Sequence, residues 1–195
     1  MITERIRIYL ESEAEAIKAI PLDERCEETV EAILNCKGKV FTTGVGKAGF
    51  IARKAASTFS TTGSPSLFVH PAESAHGDAG VFAEGDLLIA YSNSGKTREV
   101  IETVKFAKSL GVEKVIAVSA TPDTPLAEEA DLVLPIGKIT EACPYQLTPT
   151  SSTAAMIAIS DALALIVMEE RGFSREDWAR RHHGGYLGEK SRKIQ

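Results

Sequence analysis

Apolar residues recur at helical spacing near the start of the chain. Ile6, Leu10, Ala14 and Ile17 share one face of a predicted helix, with acidic and basic residues between them. A second helix is predicted over residues 24–34. The beginning of the chain is therefore expected to form helices that precede the main body of the fold.

After these helices the pattern changes to short, wholly apolar runs that alternate with helical stretches. The apolar runs predict strands at residues 40–43, 66–70, 86–91, 114–119 and 131–135. Helices are predicted at residues 47–59, 97–110, 124–130 and 151–171. Strands that are apolar throughout and separated by helices indicate a parallel sheet covered on both faces. The predicted fold class is α/β: a single three-layer, doubly wound domain with extra N-terminal helices.

The whole chain, residues 1–195, is expected to be one domain, because its length suits a single hydrophobic core. The N-terminal helices would occupy residues 1–36, the α/β core 37–172, and a C-terminal helix and tail 173–195. In such folds, ligands bind beyond the carboxyl ends of the strands, where the strand order reverses. Functional residues are therefore predicted in the loops after the first, third and fifth strands.

Composition excludes several classes of function. The net charge is −5 and there is no long basic run, so nucleic acid is not an expected partner. The charged N-terminus does not resemble a signal peptide, and Ser160 and Asp161 interrupt the longest apolar stretch, so no membrane association is expected. The three cysteines lack metal-ligand spacing and are expected to be reduced thiols of a cytoplasmic protein.

The segment VFTTGVGKAGFIARK contains the pattern G-x-G-x-x-G at Gly44, Gly46 and Gly49. It follows a predicted strand and opens a helix, as phosphate-binding loops do. A dinucleotide site would also need an acidic residue about 20 positions further on, and the next strand ends LFVH instead. The glycines therefore resemble those of a tight turn that places Lys47 beside a ligand, although the pattern alone fits a phosphate loop equally well.

The loop after the third predicted strand, SNSGKTRE, carries Ser92, Asn93, Ser94 and Thr97 around Gly95. Hydroxyl groups, an amide and free N–H groups at a helix start form a neutral site for an anion. Simple N-capping is the alternative, but a cap needs only one such side chain. We interpret the loop as a phosphate site.

A third polar cluster, TPTSSTAA, opens the long predicted helix, and capping accounts for only one or two of its hydroxyl groups. Thr150 and Ser151 are its candidate ligand contacts. Titratable side chains occupy the same set of loops: His76, Glu99, Glu141 and His182. Each could be an ordinary solvated residue, but their common position beside a phosphate loop indicates an active site.

Together these segments resemble the sugar isomerase (SIS) domain. The matching segments are TTGVGKAG, HPAESAHGDAG, SNSGKTRE, EACPYQLTPTSSTAA and RGFSREDWARRHHGGYLG, in this order. The second and fourth are most similar to the arabinose-5-phosphate isomerases, which act in Kdo supply for lipopolysaccharide or capsule. The resemblance implies a flavodoxin-like, five-stranded parallel sheet. It also implies an aldose–ketose isomerase that interconverts D-ribulose 5-phosphate and D-arabinose 5-phosphate.

The resemblance further implies residue roles, with no metal or organic cofactor. The phosphate would contact Ser92, Asn93, Ser94 and Thr97, and the sugar would contact Gly46, Thr150 and Ser151. Positions that match catalytic residues are Lys47, His76, Glu99, Glu141 and His182. An enediol path needs a base that moves a proton between C1 and C2, and a donor for the developing oxyanion. We expect Glu141 to be the base, with Glu99 as the alternative, and His182 to reach a neighbouring subunit's site.

The sequence departs from the family pattern at several positions. Ala48 stands where a serine often follows the loop lysine, Lys96 and Arg98 add positive charge to the serine loop, and His183 replaces a proline. Full-length members carry a tandem pair of CBS domains, whereas this sequence stops at Gln195.

Two further functions remain open. The protein could isomerise a hexulose or heptose phosphate, or it could be a non-catalytic sugar-phosphate sensor. Retention of Glu99, Glu141 and His182 favours an enzyme, because a sensor can lose its acid–base groups. The apolar helix at residues 151–171 and the amphipathic N-terminal helix predict a homo-oligomer, a tetramer, with active sites at subunit interfaces.

Overall fold

Five parallel strands form the central sheet of the computed structural model, which describes residues 1–182 and 184–192. The strands are β1 (Val40–Gly44), β2 (Ser66–Phe68), β3 (Leu87–Tyr91), β4 (Lys114–Ser119) and β5 (Leu132–Pro135). Their order across the sheet is β2-β1-β3-β4-β5, and each neighbouring pair is parallel. The predicted α/β class, with a doubly wound parallel sheet, is confirmed.

Helices precede, connect and follow the strands. They are α1 (Ile2–Lys18), α2 (Glu24–Asn35), α3 (Gly46–Thr61), α4 (Pro71–Ser74), α5 (Arg98–Ser109), α6 (Pro125–Glu129), α7 (Ser151–Glu170), α8 (Arg175–Arg181) and α9 (Gly185–Arg192). A 3₁₀ turn spans Asp78–Val81. The segment expected to form a C-terminal helix and tail contains two helices, α8 and α9. Ser174 and Asp177 give α8 its own capping box and thus a separate start.

Side-chain hydrogen bonds explain why two strands are shorter than predicted. His70 was expected to end β2, but it is the N-cap residue of α4, where its Nδ1 accepts the N–H of Ala72 at 3.2 Å. Asp86 was expected to open β3, but its carboxylate accepts the N–H groups of Lys39 and Ala83 at 2.7 and 2.8 Å. Both side chains accept backbone N–H groups outside the sheet, and neither residue extends a strand.

Two apolar cores lie on opposite faces of the sheet. On one face, Ile33 of α2, Phe59 of α3 and Met156 of α7 pack together. On the other, Val100 of α5 and Leu126 of α6 pack against the sheet. This division gives the three layers of the predicted fold.

The strand order reverses between β1 and β3, and this reversal positions the candidate site. The helix after β1 packs on one face and the helix after β3 packs on the other. Gly44 pairs in register with Tyr91, so the two strands end at the same level. The loops that follow therefore diverge around a crevice at the carboxyl edge, where ligands bind in open α/β sheets.

The three glycines of the G-x-G-x-x-G pattern shape the turn from β1 into α3. Gly46 has φ +61°, which favours glycine. A Cβ at Gly49 would lie 2.6 Å from the carbonyl oxygen of Gly44, so only hydrogen fits where helix and strand meet. The interpretation of these residues as tight-turn glycines is confirmed.

Helix α7 runs from the carboxyl edge of the sheet to the opposite edge. At its far end, the Arg171 guanidinium donates to the carbonyl of Ile33 at 3.0 Å, and Phe173 lies against Gly63, which follows α3. In the described part of the chain, α7 alone is long and apolar enough to span a membrane. Half of it is buried in the protein, and core helices of globular proteins have the same composition.

We predict that Gly49→Ala lowers the free energy of unfolding by about 1–3 kcal/mol, the usual cost of overpacking. The contact with Gly44 should outweigh the gain of about 1 kcal/mol for alanine over glycine within a helix. Urea denaturation followed by circular dichroism measures the change. In the control Gly80→Ala, a Cβ meets nothing within 4 Å, and equal effects of the two variants would contradict the explanation.

Candidate functional site

The serine loop, residues 92–97, lies directly after β3 at the crevice. Ser92 is 3% exposed, and its hydroxyl is hydrogen-bonded to that of Thr97 at 2.9 Å. The N–H of Gly95 donates to the carbonyl of Ser92 at 3.0 Å and closes a tight turn. Ser94 is exposed at the tip of the loop. The loop is therefore a pre-formed structure with one buried and one exposed serine.

The hydroxyl groups of the loop do not cap α5. Thr97 occupies the N-cap position but makes no capping hydrogen bond with its side chain, because its hydroxyl is bonded to Ser92. Ser94 accepts the N–H of Lys96 at 3.2 Å, before the helix begins. The first N–H groups of α5 thus lack a side-chain cap and carry the positive end of the helix dipole. This arrangement contradicts simple N-capping and favours an anion site.

Neighbouring backbone holds the serine loop rigidly. The carbonyl groups of Asn93 and Gly95 accept the N–H groups of Ala120 and Leu126, each at 2.9 Å. Gly95 has φ +60°, and a Cβ there would overlap Thr124. The side-chain oxygen of Asn93 is buried without a hydrogen-bond partner among the described residues. A buried acceptor of this kind requires a donor, which a ligand can supply.

Across the crevice, Gly46 and Lys47 form the start of α3, and both are exposed. The register of β1 and β3 puts them at the same edge of the sheet as the serine loop. An ammonium group here can approach an anion that the serine loop holds. The predicted association of Lys47 with the phosphate loop is compatible with this geometry.

Glu141 is buried at the N-terminus of α7, with 8% of the residue exposed. Its Oε2 accepts the N–H of Thr150 at 2.8 Å, with longer contacts from the Thr150 hydroxyl at 3.5 Å and the Ser152 N–H at 3.4 Å. Its Oε1 accepts the hydroxyl of Ser152. Thr150 is the N-cap residue but makes no capping bond with its own side chain, so Glu141 caps the helix instead.

Two of the three residues predicted to contact the sugar, Thr150 and Ser151, lie beside this carboxylate. Thr150 is half-buried and directs both its N–H and its hydroxyl to Glu141. Ser151 is fully buried, and its hydroxyl has no hydrogen-bond partner in the part of the chain that the structure describes. The start of α7 therefore combines a fixed carboxylate with an unpaired hydroxyl.

Glu99 and His76 lie on the other face of the sheet and are exposed. Glu99 lines a groove between α4 and α5 with Pro71, Ser74 and Phe106, and Glu141 does not line this groove. The sequence led us to expect the two glutamates as alternatives for one role. Their different surroundings give them different chemistry, because Glu141 is buried in hydrogen bonds and Glu99 faces solvent.

His182 lies far from the other candidates within one chain. Helix α7 has 20 residues, which corresponds to about 30 Å at 1.5 Å per residue, and His182 follows beyond its far end. Its ring stacks on Trp178 with centroids 3.6 Å apart, and its Nδ1 lies 3.1 Å from the Trp178 carbonyl. His182 therefore does not join Glu141 in the same chain. The predicted departure at His183 lies outside the described residues.

Residues 33–166 match the SIS domain family. The chain belongs to this family. It is 44% identical over 158 residues to the arabinose 5-phosphate isomerase KdsD of Pseudomonas aeruginosa, a match that covers 81% of this chain and 48% of that protein. The chain thus spans about half the length of the curated relatives that it matches.

Two solved structures are similar to this SIS domain over almost the whole chain. A protein of Bacteroides fragilis, assigned as a phosphosugar isomerase involved in capsule formation, is 44% identical with a TM-score of 0.91. That match covers 95% of this chain and all of the other. A protein of E. coli CFT073 in complex with arabinose 5-phosphate is 34% identical with a TM-score of 0.90. That match covers 93% of this chain and 97% of the other.

Sequence reasoning missed two residues that shape the loop before α7. Ser152 binds Glu141, yet it was one hydroxyl among several in TPTSSTAA. The Sγ of Cys143 accepts the N–H groups of Leu147 and Thr148, each at 3.2 Å, and these bonds lower the pKa of Cys143 to about 7. The sequence CPYQLT gave no signal for this turn, which depends on Gln146 at φ +54°.

Among residues 1–182 and 184–192, no group of three or more His, Cys, Asp or Glu side chains is arranged to hold a metal ion.

We predict that the rate at which iodoacetamide alkylates Cys143 rises with pH and reaches half its maximum near pH 7. The reason is that backbone N–H groups stabilise the thiolate, which is the form that reacts. Cys36 should react only at higher pH, since burial raises the pKa of its thiol. Peptide mass spectrometry at several pH values measures both rates. The variant Cys143→Ser should lose the fast phase, and a midpoint above about pH 8.5, the value of an ordinary thiol, would contradict the prediction.

Proposed function

We propose that this SIS domain interconverts D-ribulose 5-phosphate and D-arabinose 5-phosphate. Relatives at 43–46% identity are arabinose 5-phosphate isomerases, and a structural neighbour at 34% identity was solved with arabinose 5-phosphate. The chain spans only part of those curated relatives, so the activity is inferred from the site. In a cell, such an enzyme would work in the cytoplasm and supply Kdo for lipopolysaccharide or capsule.

One observation carries the proposal: the uncapped serine loop lies at the reversal of strand order. The first N–H groups of α5, the Thr97 and Ser94 hydroxyl groups and the orphaned Asn93 oxygen fit a phosphate and its neighbouring sugar hydroxyl. Lys47, exposed at the start of α3 on the other side of the crevice, is proposed to add positive charge. A sugar phosphate can be held at one end by these groups while its carbonyl end extends along the carboxyl edge.

The reaction moves one proton between neighbouring carbons. From the ketose, a base removes a proton from C1, the carbonyl oxygen at C2 gains negative charge, and the resulting enediolate is protonated at C2. The proposed base is Glu141, which its hydrogen bonds hold in one orientation. Lys47 is the proposed donor to the developing oxyanion, and His76 and Glu99 are proposed to assist ring opening and proton exchange between oxygens.

Glu141 retains capacity to accept that proton. A carboxylate has about four lone-pair sites. Oε2 meets three donors, whereas Oε1 meets only the Ser152 hydroxyl, so Oε1 is the oxygen with a free site. The side from which a proton reaches C2 determines whether arabinose or ribose phosphate forms. A fixed Oε1 would therefore also set the stereochemistry of the product.

The position of His182 supports completion of the site by a second subunit. We propose a homotetramer in which α8 and α9 reach a neighbouring subunit and place His182 at its crevice. These two helices pack mainly on each other rather than on the body of the chain. Apolar side chains are also exposed on α1 and α7, among them Ile6, Leu10, Leu165 and Ile166.

We predict that the purified protein isomerises D-ribulose 5-phosphate and that Glu141→Gln lowers kcat by at least about 100-fold. The amide keeps the size of the side chain but removes the charge that accepts the proton. A coupled assay measures kcat on a panel of pentose, hexulose and heptose phosphates, and titration calorimetry measures product binding, which should persist.

Glu102→Gln is the matched control, because Glu102 is an exposed carboxylate on α5 that pairs with Arg98. It should keep kcat within about twofold of wild type. Turnover of a hexulose or heptose phosphate instead of the pentose would reassign the substrate. Binding of a sugar phosphate with no turnover of any panel member would identify a sensor and overturn the proposed enzyme.

We predict that two inactive variants restore activity when they are co-expressed. Glu141→Gln and His182→Ala each disable every site of their own oligomer, but mixed oligomers contain some sites with both residues intact. With random assembly, about one quarter of the sites should recover, whereas sites built from one chain would recover none. Light scattering should report a tetramer, and a monomer that is fully active would contradict the shared site.

A further inference from the structure

The carboxylate of Glu141 is held by two kinds of donor. The N–H groups of Thr150 and Ser152 are backbone donors, which persist whatever side chain occupies these positions. The Ser152 hydroxyl is a side-chain donor, and it is the one that reaches Oε1. The donors to Oε2 fix one end of the planar carboxylate, and at Oε1, the oxygen with a free lone pair, one hydroxyl group fixes the other.

We propose that Ser152 is a positioning residue for the isomerisation, acting by fixing the direction of Glu141 Oε1. The inference rests on the proposed function, in which Glu141 is the base. Ser152 is 1% exposed and lies in the first turn of α7, so its hydroxyl cannot turn to water. Its bond to Oε1 acts together with the bonds at Oε2 to restrict rotation of the carboxylate about its last torsion, which is otherwise broad.

The same contacts explain why Ser152 is not merely a helix cap. A serine caps a helix by accepting N–H groups at the N-cap position, but Thr150 holds that position and Ser152 lies inside the helix. Its hydroxyl donates to a carboxylate from the preceding loop instead. Glu141 supplies the cap, and Ser152 orients Glu141.

The expected result of Ser152→Ala is a fall in kcat with KM nearly unchanged. Misplacement of a reacting group by about 1 Å can cost about 100-fold in rate, so we expect a loss of about 10- to 100-fold. KM should stay within about twofold, because the proposed phosphate contacts lie in the serine loop before α5 and do not involve Ser152. Ser152→Thr keeps the hydroxyl and should recover most of kcat.

Ser160→Ala is the matched control, since Ser160 is also 1% exposed on α7. Its hydroxyl bonds to Met156 and Tyr91 rather than to Glu141. Both alanine variants remove one buried hydroxyl from the same helix, and both should lower the melting temperature by a few degrees. Only Ser152→Ala should lower kcat at room temperature, where both remain folded. Equal kcat for the two variants would overturn the positioning role.

A binding experiment separates failure of this inference from failure of the proposed function. Phosphorylated hydroxamic acids imitate the enediolate, whereas inorganic phosphate occupies only the serine loop. In calorimetry, Ser152→Ala should weaken hydroxamate binding at least about tenfold and leave phosphate binding unchanged. With Glu141→Gln already present, it should weaken hydroxamate binding no further, because no carboxylate remains to orient.

These measurements decide the inference even if the wild-type protein turns over no sugar phosphate. In that event the proposed reaction fails, while a selective loss of hydroxamate binding still supports an oriented Glu141. Unchanged hydroxamate binding in Ser152→Ala, or equal weakening with and without Glu141, would overturn the inference.

Discussion

The hydrogen bonds between Glu141 and the first turn of α7 allow the carboxylate to be buried and also fix its orientation, and the proposed site depends on both. Burying a carboxylate is costly unless donors replace its water. The start of a helix supplies such donors, with the positive end of the dipole behind them. No acidic residue of α7's own first turn competes for the place. The loop carboxylate thus stabilises the helix, and the helix keeps the carboxylate directed.

The length of α7 then determines how the rest of the site is divided. The helix begins at the carboxyl edge beside Glu141 and carries the chain to the opposite edge, where Trp178 and His182 follow. In the proposed tetramer, a residue placed there would contribute to the crevice of another copy whose chain runs the other way, which is how the proposed role of His182 at Glu141 depends on assembly.

Sequence alone predicted the sheet, its connections and the position of the serine loop, because these depend on local patterns. Apolar runs marked β1, β3, β4 and β5, and the glycines at 44 and 49 marked a close contact of helix and strand. The end of β2 and the start of β3 were misplaced because His70 and Asp86 bind backbone, a choice that apolarity does not encode.

The hydrogen-bond partners within the candidate site could not be predicted from the sequence pattern. Ser92 is buried against Thr97, and Ser152 holds Glu141, but the sequence shows only that hydroxyl groups are abundant in both loops. Which of them points inward depends on particular rotamers and on the path of a loop, and neither follows from spacing. The candidate residues could thus be listed from the sequence. Which of them are hydrogen-bonded to one another could be learned only from the structure.

The burial of Ser92 is compatible with the proposed phosphate site. Its hydroxyl and that of Thr97 together carry two protons, and the bond between them uses one. The second proton remains free to donate to another group, whether Ser92 or Thr97 is the acceptor in the bond between them. Thr97 is half-buried at the start of α5, so it is the hydroxyl that can present this proton to an anion, with Ser92 donating to it from behind. Hydrogen bonds in such a chain strengthen one another, and a phosphate could bind without breaking the pair.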